Sequence, residues 1–135
     1  MYKLDVVTPK GLVFSGDVYQ TVITTADGEI GILENHMLLL TNIKPGKLRI
    51  EKSPTDFQEF AVTYGVIDVA PDKVIALVEE VYEIDSINIE EEKALLEEAN
   101  QKLSLENLTD QEREHYQKQK ERAEALINLA KSKSA

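Results

Sequence analysis

Every glycine and proline in this chain lies before residue 88, and that asymmetry limits what each part can fold into. The six glycines and four prolines cut the first part into short segments, as turns require. From Asn88 onward neither type occurs, and Glu, Lys, Gln, Ala and Leu, all helix formers, dominate. Composition changes near Asp85, so two domains are expected, over 1–85 and 86–135. The first should be all-β and the second helical, an α+β chain.

The first part supports strands by alternation and β-branching. Leu4, Val6 and Val7 begin a strand that should stop at Thr8-Pro9-Lys10-Gly11. Leu12-Val13-Phe14 reads as a short strand ended by Ser15-Gly16-Asp17, and Val18 to Thr25 as a third. Leu48 and Ile50 alternate with Lys47, Arg49 and Glu51. Phe60, Val62 and Tyr64 alternate up to Gly65, and Val66 to Val69 follows. Val74 to Tyr82 is expected to be the last and longest apolar strand. Ser53-Pro54-Thr55-Asp56 and Ala70-Pro71-Asp72-Lys73 read as turns. Many short strands with such turns suggest a sandwich or a barrel.

The second part predicts helices over 89–104 and 110–131. Asn88 with Glu91, and Thr109 with Glu112, are N-cap pairs with capping-box spacing. The connection Leu105 to Leu108 is short enough to force an antiparallel hairpin. One helix offers Leu95, Leu96, Ala99 and Leu103 on one side, the other Tyr116, Ala123, Ile127 and Ala130. Gln119 and Lys120 interrupt the second stripe, so the seam is thin. Its apolar burial exceeds the ordering entropy by little. A plain hairpin and one able to take a second conformation both fit that seam. Charge is uneven: residues 88–106 hold six acids against two lysines, and 109–135 hold six bases against five acids. Mixed charge of this kind also suits an ordinary solvated helix face.

Between two turn signals, Asp27-Gly28 and Pro45-Gly46, lies GEIGILENHMLLLTNIKPG. Two apolar runs, Ile30 to Leu33 and Met37 to Leu40, flank a polar elbow of Glu34, Asn35 and His36. An elbow showing an acid, an amide and an imidazole to solvent looks like a contact surface. The pattern G-E-[IL]-G-I-L-x-x-H-x-x-L-L-T-x-I-K-P-G closely resembles the epsilon subunit of bacterial F-type ATP synthases. Two positions depart from it: Glu34-Asn35 stands where the family usually has Pro-Gly, and Leu38 where it often has Pro. The resemblance implies a flattened two-sheet β-sandwich followed by a C-terminal antiparallel two-helix hairpin. It favours the mobile reading of the hairpin, because the family has compact and extended forms.

The same resemblance implies a non-catalytic central-stalk role. The sandwich would link the γ subunit to the membrane rotor ring of c subunits, coupling proton flow to ATP synthesis. Glu29, Glu34 and His36 would contact the ring. An extended hairpin would meet the catalytic α/β head transiently through Arg113, Lys118, Lys120 and Arg122, and could inhibit ATP hydrolysis. The implied place is the cytoplasmic face of the bacterial membrane, held there peripherally.

The residues bear on other functions too. A net charge of −10 argues against nucleic acid and anionic lipid, which select basic faces. No cysteine is present to form a disulfide or a thiolate metal site. No apolar run approaches the ~20 residues of a membrane span, and Met1 to Asp5 lacks a signal peptide's apolar core. Direct membrane insertion is therefore not expected. His36 and His115 have no metal-ligand spacing, and no phosphate loop or nucleophile elbow occurs. A satisfied corner residue is the plain reading of His36, and an ordinary turn carboxylate that of Glu29.

Some bacterial members of the family bind ATP through Ile-Asp-x-x-Arg-Ala at the start of the hairpin, with further arginines. Here Ile87 is followed by Asn88 for the Asp, Glu91 for the Arg and Glu92 for the Ala. Glu98 falls near the next arginine, and only Arg122 matches on the second helix. Adjacent Glu90, Glu91 and Glu92 repel a polyphosphate. ATP binding is expected to be weak or absent, with no other cofactor; a different register would have to use Lys93, Lys102 and Arg122. Two other readings remain from residues alone. One is a stand-alone sandwich-plus-coiled-coil adaptor, the other a small β-sandwich enzyme using His36 and a nearby acid.

Overall fold

The structure is a computed structural model. It describes residues 1–34, 36 and 38–134, without the side chains of 133 and 134. Asn35 of the polar elbow and Met37 of the second apolar run lie outside the described residues. Close contacts divide the chain into two units that meet between Glu83 and Ile84.

The first unit holds nine strands: β1 Tyr2–Thr8, β2 Gly11–Val18, β3 Gln20–Thr25, β4 Gly28–Leu33, β5 Leu39–Ser53, β6 Asp56–Val62, β7 Gly65–Val69, β8 Lys73–Val78 and β9 Val81–Glu83. They hydrogen-bond in the order β2-β1-β8-β7-β5-β3-β4, with β6 joining β5 to β9. All pairs are antiparallel except β1 with β8. The long strand β5 belongs to both layers. Leu39 to Ile43 pairs with β7, and Gly46 to Ser53 pairs with β6. Each strand turns alternate side chains inward. Leu4, Val6, Val74, Ala76 and Ile67 from one layer thereby meet Ile23, Ile32, Leu48, Ile50 and Val62 from the other in one core.

Three sequence expectations change. Pro45-Gly46 does not end a segment; β5 runs through it. Pro45 falls where β5 exchanges β7 for β6, so its missing N–H removes no ladder bond there. Gly46 is needed at the bend, because a Cβ would lie 2.6 Å from Thr24 Oγ1. Second, Ser15-Gly16-Asp17 does not end β2, since these residues pair with Asp5, Leu4 and Lys3. Ser15 Oγ donates to the Asp5 carboxylate at 2.7 Å across that edge. That bond, with Lys73 beside it, holds the Asp5 carboxyl below its ordinary range. Third, Val74 to Tyr82 is two strands with different partners, β8 on β1 and β7, β9 on β6. The break at Glu79-Glu80 is held by Glu79 N–H donating to the Tyr64 carbonyl and Thr63 N–H to that of Glu80. Runs of apolar residues carry no mark of such a change of partner.

The second unit begins with a single 3₁₀ turn, Ile84–Ser86, followed by α1 Ile89–Leu103 and α2 Asp110–Ser134. Asn88 Oδ1 accepts from Glu91 N–H, and Thr109 and Glu112 cap each other reciprocally. Ala99 on α1 and Ala123, Leu126, Ile127 and Ala130 on α2 are buried. Leu95, Leu96, Leu103 and Tyr116 are half-buried.

Candidate functional site

The β3–β4 hairpin turns through Ala26 and Asp27, since Thr25 pairs directly with Gly28. Gly28 takes φ +111°, a region that favours glycine. Thr25 Oγ1 accepts from Asp27 N–H and donates to the Gly28 carbonyl, fixing the turn. Glu29 follows, exposed and opposite Thr24. Glu34 lies just past the other end of β4, its carboxylate 2.6 Å from the Met1 amino group. At ~3.3 Å per residue, the length of β4 separates Glu29 from Glu34 by roughly 15 Å. The predicted ring residues therefore occupy two ends of one edge strand rather than a single corner.

His36 is half-buried and engaged inside the fold. Its Nδ1 faces the Leu33 carbonyl, its Nε2 lies 2.7 Å from the Ala70 carbonyl, and its ring meets Tyr2 edge-on. This ties the β4–β5 connection to β1 and to the β7–β8 turn. Tyr2 Oη is 2.7 Å from the Ile32 carbonyl and 2.8 Å from Thr21 Oγ1. A carbonyl only accepts, so the single phenol proton goes to Ile32 and the Thr21 hydroxyl donates in return. Burial pushes the Tyr2 phenol up to about 12. An imidazole turned fully to solvent is thus replaced by one that holds the connection in place.

The other predicted contact residues do not form one face. At 3.6 residues per turn, Arg113 and Lys120 share one side of α2, and Lys118 and Arg122 the opposite side. Arg113 is exposed and Lys120 half-buried. Lys118 lies 3.8 Å from Glu114 one turn earlier. Arg122 points at α1, where its Nη1 donates to both carboxylate oxygens of Glu92 at 2.8 and 3.1 Å.

An apolar surface of the sandwich was missed in the sequence. On the outer face, Leu12 stands opposite Val7, Val7 opposite Leu77, and Leu77 opposite Val66. The next row carries Ile75, Asp68 and Leu40 side by side. Leu12, Leu77 and Leu40 are 62%, 51% and 71% exposed. A groove of about 350 Å³ opens beside this row between Val7, Pro9, Tyr64 and Leu77, with Glu79 on its lining. Strand β8 reads KVIALV, apolar in both phases, so alternation could not mark Leu77 as outward. Among the described residues, no group of three or more His, Asp or Glu could hold a metal ion. None of the described helices is long and apolar enough to cross a membrane.

Residues 1–84 match the family model of the ATP synthase delta/epsilon chain β-sandwich domain. The ATP synthase epsilon chain of Sulfurihydrogenibium sp. is 74% identical over 133 residues, 98% of this chain and 99% of that one. The epsilon chain of Persephonella marina is 63% identical over 131 residues, 96% of each. Among solved structures, a chain of the Euglena gracilis mitochondrial ATP synthase (OSCP/F1/c-ring) superposes with TM-score 0.79 at 22% identity. That match covers 94% of this chain and 79% of that one. A chain of the Tetrahymena thermophila synthase central stalk and c-ring gives 0.67 at 13% identity, covering 96% of each. At those identities the two structures attest the fold alone.

Proposed function

The chain belongs to the ATP synthase delta/epsilon family, as an epsilon chain, and from that premise we propose how its surfaces work in a rotary synthase. The sandwich binds the γ subunit through its exposed apolar rows and reaches the c-ring through the ends of β4. It thereby joins γ to the ring, and torque passes between proton flow and ATP chemistry. The chain works without an active site of its own, held peripherally at the cytoplasmic face of a bacterial membrane.

One observation carries this reading: the outer face of β2-β1-β8-β7-β5 exposes Leu12 and Leu77 in one row and Leu40 in the next. Contiguous apolar surface on a soluble domain marks a place where another protein sits. A rigid two-layer sandwich suits a joint that must transmit force. Glu29 and Glu34 are the exposed candidates for the ring, and His36 acts by holding the connection between β4 and β5. Arg113, Lys118 and Lys120 are the candidates for an anionic surface of the head, reached when the hairpin is extended.

The test is a pull-down from detergent-solubilised membranes of the source cells with this chain tagged. The γ subunit should co-purify in near-equal amount, together with c and the α/β head. Recovery of the chain without γ would overturn the reading. A cysteine placed at Glu29, in a chain that has none, should cross-link to the polar loop of c. Cross-linking only to the head would reverse the assigned polarity of the sandwich.

A further inference from the structure

Two hollows meet at one end of the sandwich, and Thr8 and Glu79 line both. The first is the apolar groove of about 350 Å³ beside Val7, Pro9, Tyr64 and Leu77. The second, of about 280 Å³, is lined by Lys10 and Val13 from the β1–β2 hairpin and by Glu80, Val81 and Tyr82 from the β8–β9 break and β9. The two walls are pinned separately. Thr8 Oγ1 accepts from Lys10 N–H at 3.1 Å and donates to the Gly11 carbonyl at 3.3 Å, which fixes the β1–β2 turn. Glu79 N–H donates to the Tyr64 carbonyl at 2.9 Å and Glu80 N–H to Thr63 Oγ1 at 3.1 Å, which fixes the β8–β9 break. A hollow between two pinned turns is formed before any occupant arrives, and this lowers the ordering cost of binding.

The charges around it decide what fits. Among the described residues, neither the Glu79 carboxylate nor the Lys10 ammonium has an ion-pair partner, although both residues line the second hollow. Glu80 is a second carboxylate there, accepting from the Tyr82 hydroxyl. Two carboxylates against one ammonium select a cation, in a chain whose net charge of −10 already draws basic partners. The adjoining groove selects something apolar. A small inorganic cation gains nothing from the groove, and a plain hydrocarbon gains nothing from the carboxylates. An arginine or lysine next to an apolar side chain uses both halves.

We propose that this cleft is a two-part receptor for a partner-protein segment that sets one basic residue beside an apolar one. The apolar side chain enters the groove of Val7, Pro9, Tyr64 and Leu77, and the basic head pairs with Glu79 in the field of Glu80. Lys10 repels a second cation, so the segment carries one basic residue at this point. The cleft adjoins the outer apolar rows through Leu77. Only the partner's identity, a segment of γ, rests on the reading that γ binds that face.

The test uses the full chain, labelled with ¹⁵N for NMR, and capped dipeptides as probes. N-acetyl-leucyl-argininamide should shift the amides of Thr8, Tyr64 and Glu79 and saturate in the millimolar range. N-acetyl-leucyl-glutaminamide lacks the charge and N-acetyl-glycyl-argininamide lacks the apolar group, so each should bind more weakly by about twofold or more. Glu79→Gln should weaken the first probe by a similar factor, and Lys10→Gln should tighten it or leave it as it is. Asp56→Asn makes the same charge change at the far end of β6 and should leave it unchanged. Purified γ should bind the Glu79→Lys chain about fivefold or more weakly than the native one. No saturable shifts at those amides, equal binding of the three probes, or indifference to Glu79→Gln would overturn the cleft. Binding of γ that falls with Leu77→Asp but ignores Glu79→Lys would overturn the γ segment in the cleft and leave the proposed function standing. If the native chain binds no γ, the proposed function fails, and the dipeptides still decide the cleft.

Discussion

The sandwich and the hairpin bury their contacts by different physics. In the sandwich, Leu4, Ile23, Ile43, Leu48, Ile50 and Ile67 are fully buried in one continuous cluster. That burial is non-directional and large, about 25 cal/mol per Å² of apolar surface. The hairpin buries alanines at 99, 123 and 130 beside Leu126 and Ile127, and joins its helices with Glu92–Arg122 and Gln119–Leu95. Its specificity lies in directional contacts that water can replace. A unit of the first kind resists deformation and suits a joint; one of the second can open without losing its secondary structure. Under the proposed function, rigidity and switching would thus fall to separate parts of one chain.

The comparison breaks most readily through the core. Leu48→Ala should cost roughly 2–5 kcal/mol of global stability, read as a lower denaturant midpoint of the β signal. The hairpin's local exchange pattern should be preserved relative to global unfolding. A loss well under 1 kcal/mol would mean that the sandwich is not tightly packed.

Alkaline pH gives the next largest effect. The folded Tyr2 phenol keeps its proton to about 12, whereas the unfolded phenol begins to lose it near 10.0. Its contribution to stability is therefore full below pH 10 and falls as pH rises through the window from 10 to about 12. The total change from this group is on the order of a few kcal/mol at most. Tyr2→Phe should flatten that part of the stability profile; an unchanged slope would assign it to other groups.

Smaller still is the helix cap. Asn88→Ala should cost about 1 kcal/mol, confined to exchange in the first turns of α1. Acceleration spreading into β5 or β8 would show that the two units unfold together. The smallest expected effect is none. Calorimetric titration with MgATP should give no saturable heat up to low millimolar concentrations, since Glu92 holds Arg122 and the adjacent Glu90, Glu91 and Glu92 repel a polyphosphate. Saturable binding in that range would make the hairpin nucleotide-gated.

Much of this architecture was legible because turn chemistry and capping are local. Thr109 with Glu112 fixed the start of α2, and the loss of Gly and Pro marked the change from strand to helix. What depends on distant partners was not legible. Nothing local distinguishes Pro45-Gly46 as a bend within β5 from a turn that ends it; only the exchange of β7 for β6 does. In the same way, Glu92 reads as one of three adjacent acids until Arg122, thirty residues away, is seen beside it. His36 drew attention as a contact residue, but the carbonyl it holds belongs to Ala70 in another turn. The outward leucines were hidden because strands apolar in both phases lose the alternation that separates inside from outside.

The central claim is that the sandwich alone carries the joint, through its outer apolar face. It is tested most directly by binding to purified γ subunit, comparing residues 1–85 with the full chain bearing Leu77→Asp. Leu77 is 51% exposed, so the substitution places a charge on the surface and not in the core. The truncated sandwich should fold cooperatively and bind γ with close to native affinity. The full-length Leu77→Asp chain should keep its stability and lose about tenfold or more in affinity. The reverse result, with γ binding lost on truncation and unaffected by Leu77→Asp, would contradict the account.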